Sequence, residues 1–145
     1  MPGVVFDTNI WIAYQPTKLP NNLVMSAVVL LELVAGASDG AVLKRLEASR
    51  KQYEKEERLL VPTGEDWFRV GKILNSFLHN LKTQSGGKTP RLHPAKIQQM
   101  FRDTLIAVSV SRTHALLVTN DARDFQAIQR YCKFRIQSGR QFFAR

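Results

Sequence analysis

Short, continuous apolar runs separated by longer helix-like stretches constrain this chain more than any other feature. Val4-Val5-Phe6, Leu23-Val24-Met25, Leu59-Leu60-Val61 and Ala115 to Thr119 each have strand length, and Phe134-Arg135-Ile136 reads as a fifth, edge strand. Between them the pattern changes to helix. An apolar segment runs through Tyr14, and Ser26 is placed to cap a helix ending near Gly36. A third helix covers roughly 40–57. Gly64 to about Leu81 is amphipathic, with Phe68, Ile73, Leu74, Phe77, Leu78 and Leu81 as its apolar positions. Pro94 suits the first turn of a helix ending near Thr113, and a short helix follows Asp121. Strands that alternate with helices bury both faces of a parallel sheet. The expected fold class is therefore α/β: a three-layer α/β/α arrangement around a central parallel sheet of four to five strands.

No internal repeat and no long linker divides the 145 residues, so one domain over 1–145 is expected. Apolar residues make up 44%, which excludes a disordered chain. The single Cys132 excludes an internal disulfide and a cysteine-rich metal site. Residues 1–17 carry no Lys or Arg, so the basic region of a signal peptide is missing. The longest apolar runs, Ile10 to Tyr14 and Ala27 to Leu31, fall far short of the ~20 residues that span a bilayer. No membrane association and a cytoplasmic location are expected.

The formal charge is +9, and it is unevenly spread. Residues 1–43 hold Lys18 against Asp7, Glu32 and Asp39. The stretch 80–102 holds Lys82, Lys88, Arg91, Lys96 and Arg102 with no acid, and 125–145 is likewise basic and acid-free. Two such blocks suit a polyanion, with nucleic acid as the leading candidate. A basic solvated surface is the plain alternative. The block at 44–58 mixes both signs at helical spacing and reads as a solvated face.

Four carboxylates need an explanation. In open α/β sheets, ligands sit beyond the carboxyl ends of the strands. Two strands end in Asp7-Thr8-Asn9 and Thr119-Asn120-Asp121, so each puts a carboxylate at that edge. Either Asp could instead cap the following helix. Glu32 has Val28, Val29, Ala35 and Gly36 as helical neighbours; Asp103 has Gln99, Met100, Ile106 and Ala107. A carboxylate on an apolar stripe is costly unless paired or bound to a cation. A distant Arg69 or Lys72 could fold over either one. Two such helices plus two strand-end acids point instead to one shared site. Clustered carboxylates repel and are held ionised by a cation, and hard oxygen ligands favour Mg²⁺ or Mn²⁺.

These residues, in this order, resemble the PIN-domain ribonuclease family, most closely the VapC-type toxins of toxin–antitoxin pairs. Val4 to Asn9 is similar to the family's opening strand with its first acid, Ser26 to Leu33 to the segment with the second, and Asp103 to Ala107 to the helix with the third. Leu117 to Phe125 is similar to the closing strand, with the fourth acid and a trailing Asp-Phe. The resemblance spans nearly the whole chain. It implies a PIN-like α/β/α fold and a Mg²⁺- or Mn²⁺-dependent endoribonuclease acting on single-stranded or looped RNA. It makes Asp7 and Asp103 the main metal ligands, with Glu32 and Asp121 completing the catalytic acids. Asp124 rivals Asp121 for the fourth place. Thr8, Asn9 and Thr119 would hydrogen-bond to the acids. It also implies a homodimer and a separately encoded antitoxin.

Lys88, Arg91, Lys96, Arg102 and Arg123 are the candidate RNA contacts. His79, His93 and His114 form no ligand pair, although His93 could touch phosphate. Trp11 and Trp67 read as core or partner contacts. A housekeeping RNA-processing nuclease of the same family, and a non-catalytic RNA-binding module, remain open alternatives.

Overall fold

The fold follows from where the apolar runs pair. The computed structural model describes residues 2–87 and 92–144. Its strands are β1 (Val4–Phe6), β2 (Met25–Ser26), β3 (Leu59–Leu60), β4 (Leu116–Val118) and β5 (Arg135–Gln137). All pairings are parallel: β1 with β4, β4 with β5, and β2 with β3. A single parallel bridge from Val4 to Leu23 joins the three-stranded and two-stranded sheets. The strand order is thus β3-β2-β1-β4-β5. The direction of winding reverses between β1 and β4, which sets a crevice there at the carboxyl edge.

Helices cover both faces: α1 (Thr8–Tyr14), α2 (Ala27–Ala35), α3 (Gly40–Lys55), α4 (Gly64–Gln84), α5 (Pro94–Thr113), α6 (Ala122–Ile128) and α7 (Gly139–Phe143). Strand alternation divides the core in two. Val5 and Leu117 face one cluster with Val70 and Ile73 of α4, Leu105 to Val108 of α5, and Phe125 of α6. Val4, Phe6 and Val118 face the other with Ile10 of α1, Leu30 of α2, Tyr53 of α3, and Phe142 and Phe143 of α7. This is the expected three-layer α/β/α architecture around a parallel sheet.

Local chemistry accounts for the helix starts. The Ser26 hydroxyl accepts from the Val29 amide, and Asp39 caps α3. Thr63 and Asp66 form a reciprocal capping box at α4. Pro94 opens α5, and the His93 ring Nδ1 accepts from the Ala95 amide. His93 therefore serves as a cap, where phosphate contact was considered.

Two expectations are corrected. In α4 the buried stripe is Asp66, Val70 and Ile73, while Phe68 and Leu78 are exposed, Phe68 by 73%. Helix α4 also runs past Leu81, where the sequence pattern ends it, to Gln84. One element was not expected at all. Helix α7 begins with the capping box Ser138-x-x-Gln141, a signal the sequence does carry.

Candidate active site

The crevice at the β1–β4 edge collects the acids. Asp7 directly follows β1 and is buried. It does cap α1, its Oδ1 accepting from the Thr8 amide at 2.8 Å. Its other oxygen accepts from the Thr119 hydroxyl at 2.8 Å across the strand pair. Thr119 is wholly buried at the end of β4. Cap and site are therefore the same residue.

Asn9 ties the two strand ends together. Its Nδ2 donates to Asp121 Oδ2 at 3.0 Å and to Asp7 Oδ2 at 3.3 Å, and its Oδ1 accepts from the Asn120 amide at 3.1 Å. Asp121 occupies the N-cap position of α6 but makes no side-chain cap bond. The simple capping role considered for it is not observed; its carboxylate turns to Asn9 instead.

Asp103 reaches the same place from α5. It is buried, and its Oδ1 accepts from Gln99 Nε2 at 2.8 Å. Glu32 arrives from α2. The Arg102 Nε atom lies 3.8 Å from its Oε2, while an Arg102 Nη atom donates to Gln99 Oε1 at 2.9 Å. The cation beside Glu32 is thus Arg102, where Arg69 and Lys72 were considered. Arg102 thus turns to Glu32 in the acidic site, where open RNA contact was considered. Glu32 Oε1 is buried and closes no hydrogen bond of good geometry.

Electrostatics confirm that these groups share one field. Burial pushes the Asp103 carboxyl up to about 7; the Gln99 bond opposes this, and Asp7, Asp124 and Glu32 add to it. Burial also raises Asp7, against the Thr119 and Thr8 bonds, with Asp121 and Asp124 raising it further. Glu32 is raised by burial and by Asp7, with Arg102 and Thr8 pulling the other way. Asp124 acts on both Asp7 and Asp103, whereas Asp121 acts on Asp7 alone. The sequence weighs Asp124 as a rival for the fourth place, and the structure puts it in the cluster.

A second buried acid shows the contrast. Asp66 lies under α4 and α5, where its Oδ2 accepts from Arg112 at 2.9 Å and from the Thr63 amide at 3.0 Å. Asp66 is fully paired and structural. Asp7 and Asp103 are equally buried and have only neutral donors.

Among the described residues no three of His, Cys, Asp and Glu stand close enough to cage a metal ion. Asp121 is turned to Asn9 and Glu32 toward Arg102. Asp7 and Asp103 remain as the pair with buried oxygens and no cation. That donor set fits a hard cation that keeps several waters and takes one or two carboxylates.

Of the basic candidates, Lys96 and Arg123 line a cavity that also reaches Asp103 and Asp124. Lys88 and Arg91 lie outside the described residues. Sequence reasoning missed Gln99 as the partner of Asp103, although it stands one turn away on the same face. No signal on α2 could have named Arg102 as the neighbour of Glu32.

No family model and no curated protein matches the sequence. Solved structures do. A chain of the DNA-bound VapBC complex from Salmonella typhimurium aligns over 96% of this chain and 99% of its own, at 20% identity and a TM-score of 0.57. A chain of FitAB bound to an IR36 DNA fragment aligns over 94% of both, at 16% identity and a TM-score of 0.58. A chain of VapBC-1 from nontypeable Haemophilus influenzae aligns over 94% of this chain and 97% of its own, at 24% identity and a TM-score of 0.56. The chain has their fold. The likeness covers nearly the whole chain.

Proposed function

We propose that this protein is a Mg²⁺- or Mn²⁺-dependent endoribonuclease, the toxin of a toxin–antitoxin pair. The observation that carries this reading is the pair of buried, unneutralised carboxylates, Asp7 and Asp103, brought together with Glu32, Asp121 and Asp124 at one sheet edge. Such burial costs stability unless a cation is bound. Asp7 and Asp103 would hold the ion. Held there, such an ion would supply an activated water and charge compensation at a phosphodiester.

The chain's own groups do the rest. Thr119 and the Thr8 amide hold Asp7 in one orientation, and Asn9 keeps the β1 and β4 ends in register. Gln99 orients Asp103 and, through Arg102, links it to Glu32. Basic groups outside the cluster attract the RNA backbone.

The shared fold with chains of VapBC and FitAB complexes supports an antitoxin partner and assembly as a homodimer. The assignment as toxin rests on the buried acids, which a chain built only to cap a toxin does not need. The test is cleavage of a mixed RNA pool with Mg²⁺, Mn²⁺ or EDTA, beside Asp7→Asn. Metal-dependent cleavage lost in the variant is expected. Cleavage equal in the variant overturns the reading, as does binding without cleavage under either metal.

A further inference from the structure

A cavity of about 410 Å³ opens beside the acids, between α4, α5 and α6. That volume lies within the range of about 300–1,000 Å³ typical of small-ligand pockets. Asp103 and Asp124 are among its lining residues. Leu74, Phe77, Met100, Ile128 and Tyr131 make the walls apolar. Phe77 is half-buried and packs in neither core cluster. The Tyr131 hydroxyl accepts from Asn80 at 3.0 Å, which ties the ring on the α6 side to α4. Lys96 and Arg123, both exposed, complete the lining.

We infer that this cavity is the subsite for one unpaired nucleobase of the RNA, next to the bond that is cut. The inference rests on the nuclease reading and names how the substrate is held. Three observations select a nucleotide. Apolar walls with two aromatic rings suit a flat base, because single-stranded RNA is recognised by bases splayed out onto aromatic side chains. Lys96 and Arg123 supply charge for the phosphates that flank such a base. Asp103 and Asp124 of the acidic cluster line the same cavity, so a base seated here brings its phosphate close to them.

Ala127→Phe tests the inference. Ala127 is exposed on α6, lines the cavity and touches none of the acids' hydrogen bonds. Filling the cavity is expected to raise KM for a short unstructured RNA about tenfold, the loss of one stacked base, and to flatten base preference beside the cut. The variant should melt like the wild type. A second readout needs no catalysis. In EDTA, the same RNA carrying one 4-thiouridine should photo-crosslink to peptides holding Phe77, Met100 or Tyr131, with crosslinks lost in Ala127→Phe. Crosslinks elsewhere, or unchanged KM and cut pattern in a folded Ala127→Phe, overturn the subsite and leave the cavity to a protein partner's side chain. Crosslinks in the cavity without metal-dependent cleavage by the wild type would overturn the nuclease reading and keep the subsite.

Discussion

At the scale of single residues, the molecule holds buried acids of two kinds. Asp66 has a guanidinium and a backbone amide; Asp7 and Asp103 have hydroxyl and amide donors only. The two kinds should respond oppositely to neutralisation. Asp103→Asn removes a charge from a repelling, desolvated cluster. The metal-free variant is expected to keep or raise its melting temperature while cleavage disappears. A clear drop in melting temperature would mark a structural ion pair instead. Asp66→Ala removes a cap and strands Arg112, and should cost ~2 kcal/mol or more in urea unfolding. The pH dependence carries the same contrast. The folded-state pKa of Asp103 is raised from 3.8 to about 7, so between these values the folded state binds more protons than the unfolded state. Its contribution is therefore lost as pH rises, and metal-free stability should fall between about pH 4 and 7. Melting curves across that range should be flatter for Asp103→Asn. An unchanged slope would show that Asp103 is not the titrating group.

At the scale of elements, the short C-terminal helix supports the site from behind. Gly139 starts α7 against α1 and the β4–α6 turn. A Cβ there would stand 2.5 Å from the Tyr14 ring, 2.7 Å from Ile10 and 2.8 Å from Asn120 Oδ1. Ile10 is in the core and the Tyr14 ring stacks on Phe143, so neither can give way freely. Gly139→Ala should destabilise the fold by about 1–3 kcal/mol and reduce cleavage, as measured by denaturant unfolding and by turnover. Wild-type stability in this variant would mean that α7 docks loosely. Much of this layout is legible in the sequence. The Asp-Thr-Asn and Thr-Asn-Asp strand ends, the Ser26 cap and the Pro94 start all state local rules that the structure keeps. The exposed Phe68 was not legible, because helical periodicity names an apolar face without saying how much of it is covered.

At the scale of the whole molecule, a chain of net charge +9 holds an acidic cluster, with Lys96 and Arg123 lining the cavity beside it. RNA binding by the basic surface should weaken steeply with salt and persist in EDTA, whereas cleavage should stop in EDTA. Filter binding and gel assays in the same buffers separate the two. Binding that vanishes with the metal would place the RNA contacts on the ion rather than on the basic surface. Large apolar side chains also stay exposed, among them Ile12, Leu31 and Val34 on α1 and α2. Among the described residues, no helix is long and apolar enough to cross a membrane.

Local rules act within a few residues, and those the sequence determined alone. Strand length, helix caps and the alternation that divides the core are set by spacing and side-chain type. So is the presence of acids on apolar stripes. Which acids meet, and what faces them, depended on tertiary structure. Arg102 comes to Glu32 from another helix, Asn9 bridges two strands far apart in the chain, and Asp124 acts on Asp103 where Asp121 does not. Each of these contacts joins elements distant in sequence. Their geometry is set by how the helices pack on the sheet, which no local pattern encodes.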